Sequence, residues 1–193
     1  MSILIGIGSK ARQGKSFVAN VMRDLAPERV QIFSLAEALK EECAAKHEQL
    51  AAEFRRIKGR DPQPPKDDPI YGWTEILQYY GTDVIRAADP DRWVRLASEK
   101  IRLAAPEIAI VPDVRFPNEA DWIKLRGGTL VQVLRKLPSG DNYVDPGRDP
   151  RHPSEVALDE YIGWDFVLMA RDGDLERLRQ KAEVVFRKLV GEL

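Results

Sequence analysis

The sequence predicts an α/β protein built on a central parallel five-stranded sheet. Three observations carry this. Five short apolar runs, at residues 3–7, 30–33, 108–111, 129–134 and 166–169, alternate with segments of helical apolar spacing, the pattern of buried parallel strands covered by helices on both faces. The first run leads straight into Ser9-Lys10-Ala11-Arg12-Gln13-Gly14-Lys15-Ser16, and a helical pattern follows. A length of 193 residues, 44% of them hydrophobic, suits one α/β domain with a substantial core and is short for two.

Each element has its own signal. Phe17, Val18, Val21, Met22 and Leu25 form one helical stripe, and Leu175, Leu178, Ala182, Val185, Phe186 and Leu189 form another near the C-terminus; both read as core faces. Asp89 and Pro90 are placed as N-cap and first helical residue, opening a helix expected to bury Trp93, Val94, Leu96, Ala97 and Ile101. Residues 59–72, with Pro62, Pro64, Pro65 and Pro69 among charges, read as a surface connection. Residues 136–153, with four prolines and two glycines, read as a solvated loop or a mobile lid.

Composition narrows the function. Thirty Lys and Arg against 31 Asp and Glu leave a net charge of -1, so no global basic field is available for nucleic acid or an anionic membrane. Cys43 is the only cysteine, which excludes an internal disulfide and a Cys-based zinc site and fits a reducing compartment; it reads as a small apolar residue on a helix. No apolar run reaches membrane-spanning length, and the expected location is the cytoplasm.

The segment from Ser9 to Ser16 has the form of a phosphate-binding loop. A tight turn between a buried strand and a helix aims backbone N–H groups and the helix N-terminus at one point, where a polyphosphate can sit. Lys15 is then expected on the β- and γ-phosphates, and the Ser16 hydroxyl on Mg²⁺. Ser9 stands where the pattern usually opens with glycine, and Gly8 precedes it; either Ser9 tolerates the turn or the turn is shifted. Ligands of open parallel sheets collect outside the carboxyl ends of the strands. There the sequence places Ser34, Asp113, Arg115, Arg135 and the Arg171-Asp172-Gly173 turn. Asp113 can help to hold a hydrated Mg²⁺, and Arg115, two residues on, points to the same cleft if the strand continues. Arg86, Arg115, Arg135, Arg148 and Arg151 are candidate sources of positive charge for phosphoryl transfer. His152, among prolines and charges, reads as solvated and not as a catalytic base.

Landmarks over nearly the whole chain resemble the deoxynucleoside monophosphate kinases of tailed bacteriophages. They are the loop from Lys10 to Lys15, Phe33-Ser34-Leu35-Ala36 with Leu39-Lys40, Leu77-Gln78-Tyr79-Tyr80-Gly81-Thr82 with Arg86, and Trp93-Val94. Further on come Asp113-Val114-Arg115-Phe116-Pro117-Asn118-Glu119-Ala120, Gly127-Gly128 before a strand ending in Arg135, and His152-Pro153-Ser154-Glu155.

The resemblance implies a three-layer P-loop kinase fold in a single domain of residues 1–193, with an acceptor-binding region at about 35–92 and a lid at about 136–153. The implied reaction moves the ATP γ-phosphoryl group, with Mg²⁺, to a deoxynucleoside 5′-monophosphate. Lys10, Ala11, Arg12, Gln13, Gly14, Lys15, Ser16 and Arg135 would bind ATP. Ser34, Lys40, Gln78, Arg86, Trp93, Arg115 and Glu155 would bind the acceptor. Lys15, Asp113, Arg115, Arg148 and Arg151 would act in catalysis, the last two closing over the phosphates. Ser16 and Asp113 would hold the metal. The expected partners are ATP and the monophosphate, with either a monomer or a homodimer allowed. The chain departs from the family at Ser9, at Ser16, where many relatives carry Asp, and before the Arg171-Asp172-Gly173 turn, which lacks an expected asparagine. Phosphomevalonate kinases of the animal type look like distant relatives, so another phosphomonoester acceptor is an alternative, as is a nucleotide-binding module without turnover. A regulatory GTPase would need an Asn/Thr-Lys-x-Asp motif, and the chain has none.

Overall fold

The computed structural model describes residues 2–62 and 73–192; most of the predicted surface connection at 59–72, including Pro64, Pro65 and Pro69, lies outside them. The chain divides into two compact units, one formed by Met1–Ser34 with Glu99–Leu193 and the other by Leu35–Ser98.

The first unit holds the five strands, β1 (Ile3–Gly8), β2 (Val30–Ile32), β3 (Ile108–Val114), β4 (Thr129–Lys136) and β5 (Phe166–Arg171). They form one sheet in the order β2-β3-β1-β4-β5, with every pairing parallel. Ile108, Ala109, Ile110 and Val111 are fully buried beside the equally buried Ile5 and Ile7, as central strands covered on both faces require. At the sheet edge the pattern relaxes to alternation, with Leu168 and Ala170 buried and Val167 and Met169 exposed. Helices α1 (Lys15–Leu25) and α8 (Leu175–Leu189) pack Val18, Val21, Met22, Leu178, Ala182, Val185 and Phe186 into the core on one face. From β1 the chain crosses by α1 to β2, and from β3 by α6 (Pro117–Leu125) to β4, on the other side of β1. The carboxyl end of β1 is therefore the switch point of the sheet, where a crevice opens for ligand.

In the second unit, α2 (Glu37–Ala45), α3 (His47–Lys58) and α4 (Thr74–Gln78) lead into a π-helix at Tyr79–Arg86. Its core is Cys43, Leu50, Ala51, Phe54, Ile76, Tyr79 and Tyr80. Cys43 is the buried apolar residue expected, and burial pushes its thiol up to about 12, which keeps it from acting as a nucleophile.

Three expectations change. Helix α5 (Arg92–Ala104) starts at Arg92; Asp89 and Pro90 form a turn before it, with the Asp89 carboxylate held by the Arg95 guanidinium. Leu96 faces solvent at 38% exposure, and Ile101 is only half-buried. Leu25 and Leu175 are likewise exposed ends of their stripes. The π-helix has no counterpart in the sequence reading, because its wider turn matches neither the helical nor the strand period.

Candidate active site

The phosphate-binding loop turns at two left-handed residues, Arg12 with φ 55° and Gly14 with φ 104°. Gly14 immediately precedes α1, where a residue without Cβ adopts such a φ without strain. Ser9 is not among the positive-φ residues, so the serine sits in ordinary backbone and the turn is not shifted. Its carbonyl accepts from Lys15 Nζ at 2.9 Å, and the Lys10 carbonyl accepts from the same ammonium at 2.5 Å. Gly8 is needed for a different reason: a Cβ there would stand 2.4 Å from Cη2 of Trp164.

Buried charge gathers around this loop. Glu155, on the short helix α7 (Pro153–Val156), accepts the Ala11 backbone N–H on Oε2 at 2.8 Å. Its Oε1 accepts from Arg115 Nη1 at 2.9 Å and from Arg148 Nη1 at 3.1 Å. Arg115 also donates to the Ser154 carbonyl at 3.2 Å. Lys15 is buried nearby, and its pKa is held well below the ordinary value of 10.5, first by desolvation and then by repulsion from Arg115, with Arg148 adding to it. Desolvation and Arg115 also lower the pKa of Arg148. Lys15, Arg115 and Arg148, buried or half-buried, thus meet Glu155, with Asp113 acting on Lys15 and Asp145 lying 3.8 Å from Arg148. At Lys15 and Arg148 desolvation and mutual repulsion outweigh these carboxylates, a balance that a bound anion can relieve.

Strand ends and caps fix these groups. Glu119 Oε2 accepts from the backbone N–H of Arg115 at 2.7 Å and of Phe116 at 3.1 Å, closing the first turn of α6 and setting the direction in which Arg115 leaves β3. Near the end of β3, Asp113 Oδ2 accepts from Ser34 Oγ at 2.6 Å. Ser16, in the first turn of α1, is exposed. A carboxylate and a hydroxyl are hard oxygen donors that fit Mg²⁺, an ion usually held by one or two protein groups with phosphates and water completing its shell. Among the described residues no group of three or more His, Cys, Asp or Glu is arranged to hold a metal by itself.

A cavity of about 260 Å³ on the other side of the loop is lined by Arg12, Gly14, Arg135, Asp172, Gly173 and Leu175, among others. The Arg135 guanidinium lies 3.9 Å from the centre of the Tyr143 ring and pairs with Asp172 at 2.6 Å. Leu175, expected in the core, lines this cavity instead. Gln13 is buried, with its amide donating to the Tyr143 carbonyl at 2.6 Å and accepting from Arg135 N at 2.6 Å. It ties segment 136–153 to the loop, and Arg12 adds an ion pair to Asp145 at 3.2 Å. That segment contains one isolated bridge, Lys136 to Asn142, and successive turns, as its prolines and glycines suggest.

Not all predicted residues meet. Arg151 is 90% exposed, with Asp149 at 3.7 Å as its ion-pair partner. Lys10 pairs with Asp159 at 2.8 Å, and both line a cavity of about 310 Å³ with Arg115 and Glu155. His152 is half-buried and caps α7, its Nδ1 accepting from Ser154 N at 3.2 Å, so it is a structural residue and not a solvated one. Lys40, Gln78, Arg86 and Trp93 belong to the second unit. There Lys40 is exposed, Gln78 and Arg86 are half-buried, and Trp93 is buried with its Nε1 donating to the Gly81 carbonyl at 3.3 Å. Sequence reasoning missed Glu119, although Pro117 with a Glu three residues after Phe116 has the spacing of a capping box. It also missed the Gln13 clamp and Trp164, which no local pattern marks.

The sheet order and the loop define a P-loop kinase. No family profile matches the chain. A protein of Acanthamoeba polyphaga mimivirus named "Putative deoxynucleotide monophosphate kinase" is 30% identical over 185 residues, covering 86% of this chain and 88% of that protein. Among solved structures, a dephospho-CoA kinase from Campylobacter jejuni superimposes over 100% of both chains with a TM-score of 0.57 at 13% identity, a likeness of fold. The chain belongs to the deoxynucleotide monophosphate kinase family.

Proposed function

We propose that the protein transfers the γ-phosphoryl group of ATP to the 5′-phosphate of a deoxynucleoside monophosphate, releasing ADP and the deoxynucleoside diphosphate. The observation that carries this reading is the cluster of Lys15, Arg115 and Arg148 around the phosphate-binding loop, in which Glu155 joins the two guanidiniums and Asp113 and Asp145 flank the cluster. Transfer of a phosphoryl group asks for positioning and positive charge more than for covalent help from the protein.

An oxygen of the acceptor phosphate attacks the γ-phosphorus, and the bond from that phosphorus to the β–γ bridging oxygen breaks, leaving ADP. Lys15 holds the β- and γ-phosphates, and the first-turn N–H groups of α1 supply fixed donors. Arg115 and Arg148 stabilise charge on the equatorial oxygens, work for which a planar guanidinium is suited. Asp113 and Ser16 would hold Mg²⁺, which would neutralise phosphate charge when bound. The adenine ring takes the cavity beside Arg135 and Gly173. Ser34, Lys40, Gln78, Arg86 and Trp93 serve the acceptor. Arg151, by its exposure, takes part only if segment 136–153 moves inward.

A panel of the four common deoxynucleoside monophosphates and their ribose counterparts, with ATP and Mg²⁺, tests the proposal by ADP formation. Stimulation by at least one deoxynucleotide supports it. ADP formation that no nucleoside monophosphate stimulates, but another small phosphomonoester does, replaces the acceptor class.

A further inference from the structure

The resemblance would make Glu155 a ligand of the acceptor, yet both of its oxygens are engaged by the protein. Oε2 takes the Ala11 N–H of the phosphate loop, and Oε1 bridges Arg115 and Arg148. The side chain is only 5% exposed. We infer that Glu155 is a positioning residue, which holds the two guanidinium groups and the loop in the arrangement that receives the transferring phosphoryl group.

The physical case begins with repulsion. Two guanidiniums sharing one carboxylate oxygen repel one another, and desolvation raises the cost of keeping both there. A carboxylate between them offsets that repulsion and fixes both forks, so that little reorganisation is needed when charge develops on the phosphoryl oxygens. The second oxygen ties this assembly to the third residue of the loop, leaving the N–H groups of the first turn of α1 for phosphate.

A competing account makes Glu155 an anionic plug that phosphate must displace. The surroundings of Glu155 oppose this. It is carried on α7, whose Ser154 is buried, whose His152 caps it, and whose Ser154 carbonyl also accepts from Arg115. Leu158, just beyond, is buried as well. A residue so fixed stays in place when phosphate reaches the guanidiniums.

The kinetic half of the test rests on the proposed phosphoryl transfer. Glu155→Gln keeps the shape and removes the charge; it is expected to lower kcat by about 30-fold while KM for ATP changes by no more than about threefold. The binding half needs no acceptor and uses inorganic tripolyphosphate on the full chain, measured by calorimetry in a double-mutant cycle. Arg148→Gln is expected to weaken binding by about tenfold in the wild-type background and by no more than about twofold beside Glu155→Gln. An Arg148 effect of the same size in both backgrounds overturns the inference, as does a tenfold or greater tightening of tripolyphosphate binding by Glu155→Gln alone, the mark of a displaced plug. If Glu155→Gln does not fold, Glu155→Asp, which keeps the charge but withdraws it by one methylene, enters the same cycle with the same outcomes. Should no monophosphate act as acceptor, the proposed reaction fails while the tripolyphosphate cycle still decides the role of Glu155.

Discussion

Ser34 Oγ lies 2.6 Å from Asp113 Oδ2, so the chain just after β2 orients the carboxylate at the end of β3. The neighbouring backbone is fixed too, with Phe33 N donating to the Ile110 carbonyl at 2.8 Å. A serine hydroxyl that donates to one carboxylate oxygen fixes the plane of the carboxylate. The expected consequence is graded. Asp113→Asn and Lys15→Ala each lower kcat by about 10²-fold or more, the scale of a lost electrostatic contact in the transition state. Ser34→Ala lowers it by about tenfold, the weight of one hydrogen bond to a charged group. Steady-state kinetics on the three variants check the order, and turnover by Lys15→Ala at the wild-type rate removes the loop assignment.

Arg115 and Arg86 are expected to hold the acceptor phosphate through paired N–H donors that lysine cannot reproduce. Arg115→Lys and Arg86→Lys should therefore raise KM for the monophosphate by about tenfold and KM for ATP by less. Initial-rate measurements with each substrate varied in turn decide this. A larger rise for ATP would move the residue concerned to the donor side.

Most of the sheet was legible because its strands are apolar runs; each of the five runs became a strand, β2 ending one residue short of Phe33, β3 reaching Val114 across a register shift, and Arg135, Lys136 and Arg171 continuing the pairing of β4 with β5 beyond the apolar residues. The loop was legible through Gly14, Lys15 and Ser16, whose spacing is set by local geometry. Glu155 was found only by resemblance, and its partners Ala11, Arg115 and Arg148 were not foreseen as a cluster. The contact between Ala11 and Glu155 spans 144 residues, and no periodicity encodes such a meeting. The start of α5 was misread because Asp89 and Pro90 carry a helix-opening signature, while the Asp89 carboxylate is occupied by Arg95.

Lys15 gives the protein a pH dependence of defined sign. Folding lowers its pKa below the ordinary 10.5, so in the interval just below that value the unfolded chain binds more protons than the folded one, and stability contributed through this group rises with pH. Lys15→Met lacks the titration. Denaturant unfolding without nucleotide, at a series of alkaline pH values, should show wild type gaining on Lys15→Met as pH approaches 10.5. A constant difference between the two would mean that the buried ammonium titrates as in the unfolded chain.

Gly8→Ala tests the packing beneath the loop. The added methyl would meet the Trp164 ring at 2.4 Å, with the Val114 carbonyl at 3.2 Å on another side. Overpacking of this kind costs about 1–3 kcal/mol. The midpoint of denaturant unfolding is expected to fall accordingly, whereas an unchanged midpoint would mean that Trp164 moves aside freely.

Phosphoryl transfer to a deoxynucleoside monophosphate is the central claim, and product stoichiometry tests it most directly. With ATP, Mg²⁺ and the best deoxynucleotide from the panel, ³¹P NMR should show ADP and a deoxynucleoside diphosphate appearing together in equal amounts, without matching inorganic phosphate. ADP accompanied by inorganic phosphate alone, with the monophosphate unchanged, would contradict the account.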